Sequence, residues 1–203
     1  MGTSGSAGAV GAKAVERAAA VTVALLGGCV ERDWGAPAGG LEWSCRETVV
    51  HVAHDLTAYA AQLAGRVRGP GYLPLDLTVP ESAGRGEVVE VLSASAALLA
   101  TVVRAAPAGA RGWHWGACDA SGFAAMGVAE LTLHTWDVAR GLGVAWEPPV
   151  EAAEAVLGRL FPPAVLPDPP RASPSDLLLW ATGRTVLPDR PRRTDWVWRA
   201  ALE

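Results

Sequence analysis

The sequence predicts an all-α protein, a four-helix bundle followed by a short C-terminal extension. Three observations predict it. Four segments carry apolar residues at helical spacing. The stretches between them are rich in glycine and proline, which end helices and make loops. Polar residues on those stripes, Glu130, His134 and His51, can meet at one level of the core, as in bundles that hold an internal metal site.

Residues 1–11 are small and polar and are expected to fray. From about Ala12, a stripe of Val15, Ala18, Ala19, Thr22, Leu25, Leu26 and Cys29 makes the first helix, which stops near Gly27-Gly28. A loop over 33–40 follows. The second helix starts at Ser44, where Ser44-x-x-Glu47 is a capping box. Its stripe is Thr48, His51, Val52, Asp55, Leu56, Tyr59 and Leu63, ending near Gly65. Residues 68–86, with Pro70, Pro74 and Pro80, read as a long crossing loop that borders a pocket. The third helix runs from Glu87 to about Ala105 and is closed by Pro107 and Gly109. Arg111-Gly112-Trp113-His114-Trp115-Gly116 reads as an aromatic loop. The fourth helix follows Ser121 and runs to about Arg140, ended by Gly141 and Gly143.

The bundle is assigned to residues 1–145 and the extension to 146–203. The extension reads as a short helix over 149–161, a proline-rich linker over 161–170, and a second short helix over 177–182. Ser173 to Asp176 cap that helix and Gly183 ends it. Asp195-Trp196-Val197-Trp198-Arg199 alternates, as a strand or extended segment would. Arg184, Arg190, Arg192, Arg193 and Arg199 cluster here, either as a grip for an acidic ligand or as a solvated face.

At 203 residues the chain suits one domain with an extension or two small ones. A formal net charge of −4 gives no reason to expect nucleic acid or an anionic membrane as partner. Cys29, Cys45 and Cys118 form no Cys-x-x-Cys pair, which argues against a zinc ribbon or thioredoxin-like site and for reduced thiols in a cytoplasmic protein. Leu26-Gly27-Gly28-Cys29 has the look of a lipoprotein processing site. However, Glu16 adjoins the apolar run and no positive charge precedes Lys13. No apolar run reaches transmembrane length. Lys13 is the only lysine, which fits a GC-rich bacterial coding bias.

The chemistry centres on Glu130-Leu131-Thr132-Leu133-His134. Four residues apart on a helix, the carboxylate and the imidazole face the same way and can share a divalent metal. The third ligand is expected from His51, with His54 as the alternative on the same helix. Two histidines and a glutamate leave a fourth position open, as catalytic zinc sites do. The plain alternative is a core glutamate and histidine, each satisfied by a hydrogen bond. Asp55 and Asp137 are expected to orient ligand imidazoles rather than bind the metal. Asp55 would accept from the second ring N–H of His51, or be simply a solvated acid. Cys45, near His51 in sequence, reads as a small buried residue.

Two stretches carry a family resemblance. Leu41-Glu42-Trp43-Ser44-Cys45-Arg46-Glu47-Thr48-Val49-Val50-His51 places a histidine eight residues after a tryptophan at a helix start. Glu130 to Asp137 repeats a Glu-x-x-x-His pair followed by aspartate. Together they resemble the DinB-like metalloenzyme superfamily, specifically the mycothiol-dependent maleylpyruvate isomerase N-terminal-domain group, over roughly residues 12–145. Leu178 to Arg184 is similar to segments at the end of relatives.

The resemblance implies a DinB-like four-helix bundle holding zinc or another divalent metal on His51, Glu130 and His134. It implies mycothiol as cosubstrate, with a small-molecule electrophile as the other partner. The reaction would be S-transfer or isomerisation; the alternative is a non-catalytic metal- or ligand-binding bundle of the same fold. The C-terminal part is shorter than the isomerase's second domain, and many relatives look more like general thiol transferases. A homodimer is left open. Trp113 and Trp115 are expected either to wall the thiol site or to cap the bundle end. His114 is expected to act as acid or base if it reaches the open metal position.

Overall fold

Four long helices form the bundle in a computed structural model that describes residues 9–163, 166–167 and 172–201. They are α1 (Ala12–Gly27), α2 (Cys45–Ala64), α3 (Arg85–Ala105) and α4 (Ala120–Gly141). A short hairpin, β1 (Arg111–Trp113) and β2 (Ala117–Asp119), stands between α3 and α4. In the extension, α5 (Val150–Leu160) packs on α4, and α6 (Pro174–Ala181) packs on α5. Residues 1–8 and about half of the linker read over 161–170 lie outside the described residues.

Helix α4 is the axis. It packs against α1, α2, α3 and α5, and every residue from Gly122 to Leu133 is buried. A helix surrounded in this way needs no single apolar stripe. Gly127 lets it approach α3 closely, because a Cβ there would overlap the Leu99 side chain. The core is continuous into the extension, where Ala153, Val156, Leu160 and Leu178 join the same buried cluster as Leu56, Leu99 and Phe123.

The capping box of α2 is formed. Ser44 Oγ accepts from the Glu47 amide at 3.1 Å, and the Glu47 carboxylate accepts from the Ser44 amide at 2.8 Å. Such a cap contributes about 1 kcal/mol. Helix α3 begins earlier than Glu87, at Arg85, because the Glu87 carboxylate reaches back to the Gly84 amide at 2.6 Å. Helix α4 begins at Ala120, before Ser121, because Asp119 accepts from the Gly122 amide at 2.8 Å. By length and composition α3 could cross a membrane, yet its Val88, Leu92, Leu99 and Val103 are buried within the bundle.

The stretch around Trp113 departs from the loop expected of it. Trp113 pairs with Ala117 across the hairpin, and the turn is closed by the His114 amide on the Gly116 carbonyl at 2.8 Å. The turn holds Trp115 at φ +52° and Gly116 at φ +141°, left-handed conformations that glycine adopts without strain. The alternating tail over 195–199 forms no strand ladder. It bonds the Arg199 amide to the Leu160 carbonyl at 2.8 Å, and just beyond it Ala201 meets Cys118 of β2 in one bridge.

Candidate metal centre

Helices α2 and α4 lie side by side, so the His51 face of one meets the Glu130 and His134 face of the other. One donor atom from each of the three residues lies within 4.8 Å of the other two. Glu130 Oε2 is 3.3 Å from His134 Nε2 and 3.7 Å from His51 Nε2. Ligand atoms bonded to one metal at about 2 Å sit at such separations. Glu130 is only 5% exposed, and among the described residues its Oε2 has no hydrogen-bond partner. A buried, unpartnered carboxylate oxygen is costly. A cation held between two imidazole nitrogens and this oxygen removes that cost, so the donor set fits a divalent metal.

The electrostatics agree. Burial works against the charged form of His134, but the Asp137 hydrogen bond and the charges of Glu130 and Asp137 outweigh it and push its pKa up to about 9. Burial likewise opposes ionisation of Glu130, and the His134 ring beside it, with the charges of both histidines, holds its pKa below the usual range.

Asp137 fixes His134 from behind. Its Oδ2 lies 3.0 Å from His134 Nδ1, which donates to it and leaves Nε2 free as a ligand. Asp137 is itself gripped by Arg184, whose Nε donates to Oδ1 at 3.0 Å and whose Nη2 donates to Oδ2 at 2.6 Å. Arg184 lies beyond α6, so the extension supports a residue of the bundle's site. Gly39, at φ +56°, passes close to the Asp137 backbone, where a Cβ would sit 3.3 Å from its Cα.

Asp55 does not occupy the place the helical spacing suggested. Its Oδ2 lies 3.6 Å from His51 Nε2, the nitrogen that faces Glu130, rather than bonding the other ring nitrogen. Its Oδ1 contacts His54 at 3.2 Å, and the other side of that ring faces Asp76. His54 is thus turned away from the trio. The ring of Trp43 covers His51, with centroids 4.7 Å apart.

The trio opens onto a cavity of about 1070 Å³ whose walls differ from those expected. They come from the loop over 39–43, the C-terminal half of α4 and the extension, not from the crossing loop or from Trp113, His114 and Trp115. Trp43, Trp136, Trp196 and Trp198 supply flat apolar surface, and Arg140, Arg184, Arg192 and Arg193 supply positive charge. Trp113 packs edge-on against Tyr72, and Trp115 is 80% exposed at the hairpin tip.

His114 is buried and bonded through Nδ1 to the Tyr72 hydroxyl. Burial lowers its pKa to about 4, with the Glu130 charge partly opposing. The neutral ring accepts the tyrosine proton at Nδ1. A folded-state pKa below the ordinary 6.5 contributes stability that is present above 6.5 and is lost as pH falls through about 4. Denaturant midpoints of the wild type and His114→Asn are therefore expected to follow different pH slopes between those values. Parallel slopes would show that His114 titrates normally.

None of the three cysteines is placed as a nucleophile. All are buried and unbridged, and burial pushes the thiol of Cys45 up to about 11 and that of Cys118 up to about 12.

Comparison with known proteins follows the same lines. The sequence model of the mycothiol maleylpyruvate isomerase N-terminal domain matches residues 15–139, a span that includes His51, Glu130, His134 and Asp137. No curated protein and no solved structure matches the chain.

Proposed function

We propose, from the premise that the chain belongs to the mycothiol maleylpyruvate isomerase N-terminal domain family, a group of DinB-like helical proteins, a divalent-metal-dependent enzyme that uses mycothiol as nucleophile in S-transfer or isomerisation. The observation that carries the reading is the unpartnered Glu130 Oε2 between two imidazole nitrogens, at the wall of a large cavity. His51, Glu130 and His134 would hold the metal. Zinc, when bound, supplies the positive charge that lets a thiol lose its proton near neutral pH.

The chain's own residues do the rest. Asp137 keeps the His134 proton on Nδ1, so that Nε2 points at the site. The buried cysteines leave the nucleophilic sulfur to an external thiol. Trp43, Trp136 and the tail tryptophans narrow the cavity and exclude water around the reacting sulfur. Arg140, stacked on Trp136 at 5.0 Å, and the exposed Arg192 put positive charge where an electrophile that gathers negative charge would lie.

The test is thiol consumption. Zinc-loaded protein is expected to accelerate the reaction of mycothiol with electrophiles such as monobromobimane or maleylpyruvate, and His134→Ala to lose the acceleration. If metal and mycothiol both bind and no electrophile reacts above the uncatalysed rate, the chain is a binding bundle and not an enzyme.

A further inference from the structure

Tyr59 lies two turns beyond His51 on α2, so that His51, Asp55 and Tyr59 form one ladder facing α4. Its hydroxyl is 3.2 Å from Glu130 Oε1, the oxygen turned away from the histidines, and 3.3 Å from Asp55 Oδ2. One phenolic proton thus stands between two carboxylates. The ring is buried and fixed by three aromatic neighbours, Phe123 at 6.2 Å, His114 at 6.1 Å and Tyr72 at 6.4 Å between centroids. The hairpin and the crossing loop, which do not reach the cavity, bear on the site through this ring.

We infer that Tyr59 is a positioning residue of the metal centre, its hydroxyl engaging Glu130 Oε1 so that the carboxylate offers the metal Oε2 alone. The inference rests on the metal reading above. A carboxylate free at both oxygens can bind through both and occupy the position a thiol needs. Facing two carboxylate oxygens, which accept, the phenol hydroxyl is the donor. Asp55 Oδ2 shares the same proton at 3.3 Å, so that one hydroxyl stands between the acid beside His51 and the acid opposite it.

The experiment compares Tyr59→Phe with Tyr72→Phe. Both keep the ring packing, but only the first removes a hydroxyl that touches a ligand. Zinc affinity is read by competition with a chelator, and coordination number by the visible spectrum of the cobalt(II)-loaded protein. Tyr59→Phe is expected to bind zinc on the order of 10–100-fold more weakly and to shift the cobalt spectrum toward a higher coordination number, while Tyr72→Phe changes neither. If wild-type protein binds metal and Tyr59→Phe matches it in affinity and spectrum, the role of Tyr59 is overturned and the metal reading stands. If wild-type protein binds neither zinc nor cobalt, both fall together.

Discussion

His134→Ala is expected to abolish metal binding and, separately, to weaken the metal-free fold. The first effect follows from geometry. Removing Nε2 leaves one imidazole and one carboxylate, and two protein ligands seldom hold a divalent ion. The loss should exceed the about 10–100-fold typical of removing a ligand's hydrogen-bond partner. The second effect follows from charge. In metal-free protein, His134 is the nearest positive charge to the buried Glu130, at 3.3 Å. Taking one partner from such a pair costs about 3–5 kcal/mol.

The pH dependence separates the two effects. His134 is raised to about 9, above its ordinary 6.5, so the stability it contributes is fully present below 6.5 and is lost as pH rises through 9. A metal must displace the same proton, so zinc affinity should climb about tenfold per pH unit across that window. Zinc titrations and urea unfolding of wild type at a series of pH values should show these opposite slopes, and His134→Ala should show neither. A variant that still binds zinc stoichiometrically would remove His134 from the ligand set.

Much of this architecture is legible in the chain because it is local. The Ser44 box and the stripes on α2 and α4 need only neighbours three or four residues away, and they are enough to bring His51 toward Glu130 and His134. Helix starts are legible only where a side chain marks them. Gly84 caps α3 through its backbone amide, and Asp119 competes with Ser121 for the start of α4. The hairpin is hidden because its strands are three residues each and its turn carries Trp115 where glycine or asparagine would signal it. The cavity walls are hidden for a different reason. Arg184 meets Asp137 across 47 residues, and no periodicity encodes that pairing. Tyr59 is legible as a member of the α2 stripe, but the partner of its polar tip, Glu130, lies on another helix.

Asp137→Ala is expected to have the second largest effect, because one carboxylate serves two partners. It is 2% exposed, accepts from His134 Nδ1, and takes two hydrogen bonds from Arg184. Without it, His134 can carry its proton on either nitrogen, and zinc affinity should fall on the order of 10–100-fold. Arg184, whose side chain is only 11% exposed, is left without its counter-charge, at a cost of about 3–5 kcal/mol. In a chain of this size that loss corresponds to a fall in Tm on the order of 10 °C. Two further variants divide the effects. Asp137→Asn keeps an oxygen for His134 Nδ1 but gives up the charge that faces Arg184, so it should lose stability more than affinity. Arg184→Ala keeps Asp137 on His134 and leaves the carboxylate half-neutralised, so it should also cost stability. Because the two residues share one interaction, the double variant Asp137→Asn with Arg184→Ala should be less destabilised than the sum of the singles, by about 1–3 kcal/mol. Thermal unfolding and zinc competition on wild type and these four variants measure both quantities. Strict additivity, with zinc affinity unchanged in Asp137→Ala, would mean that the extension only packs against the bundle and that His134 is oriented by Glu130 alone.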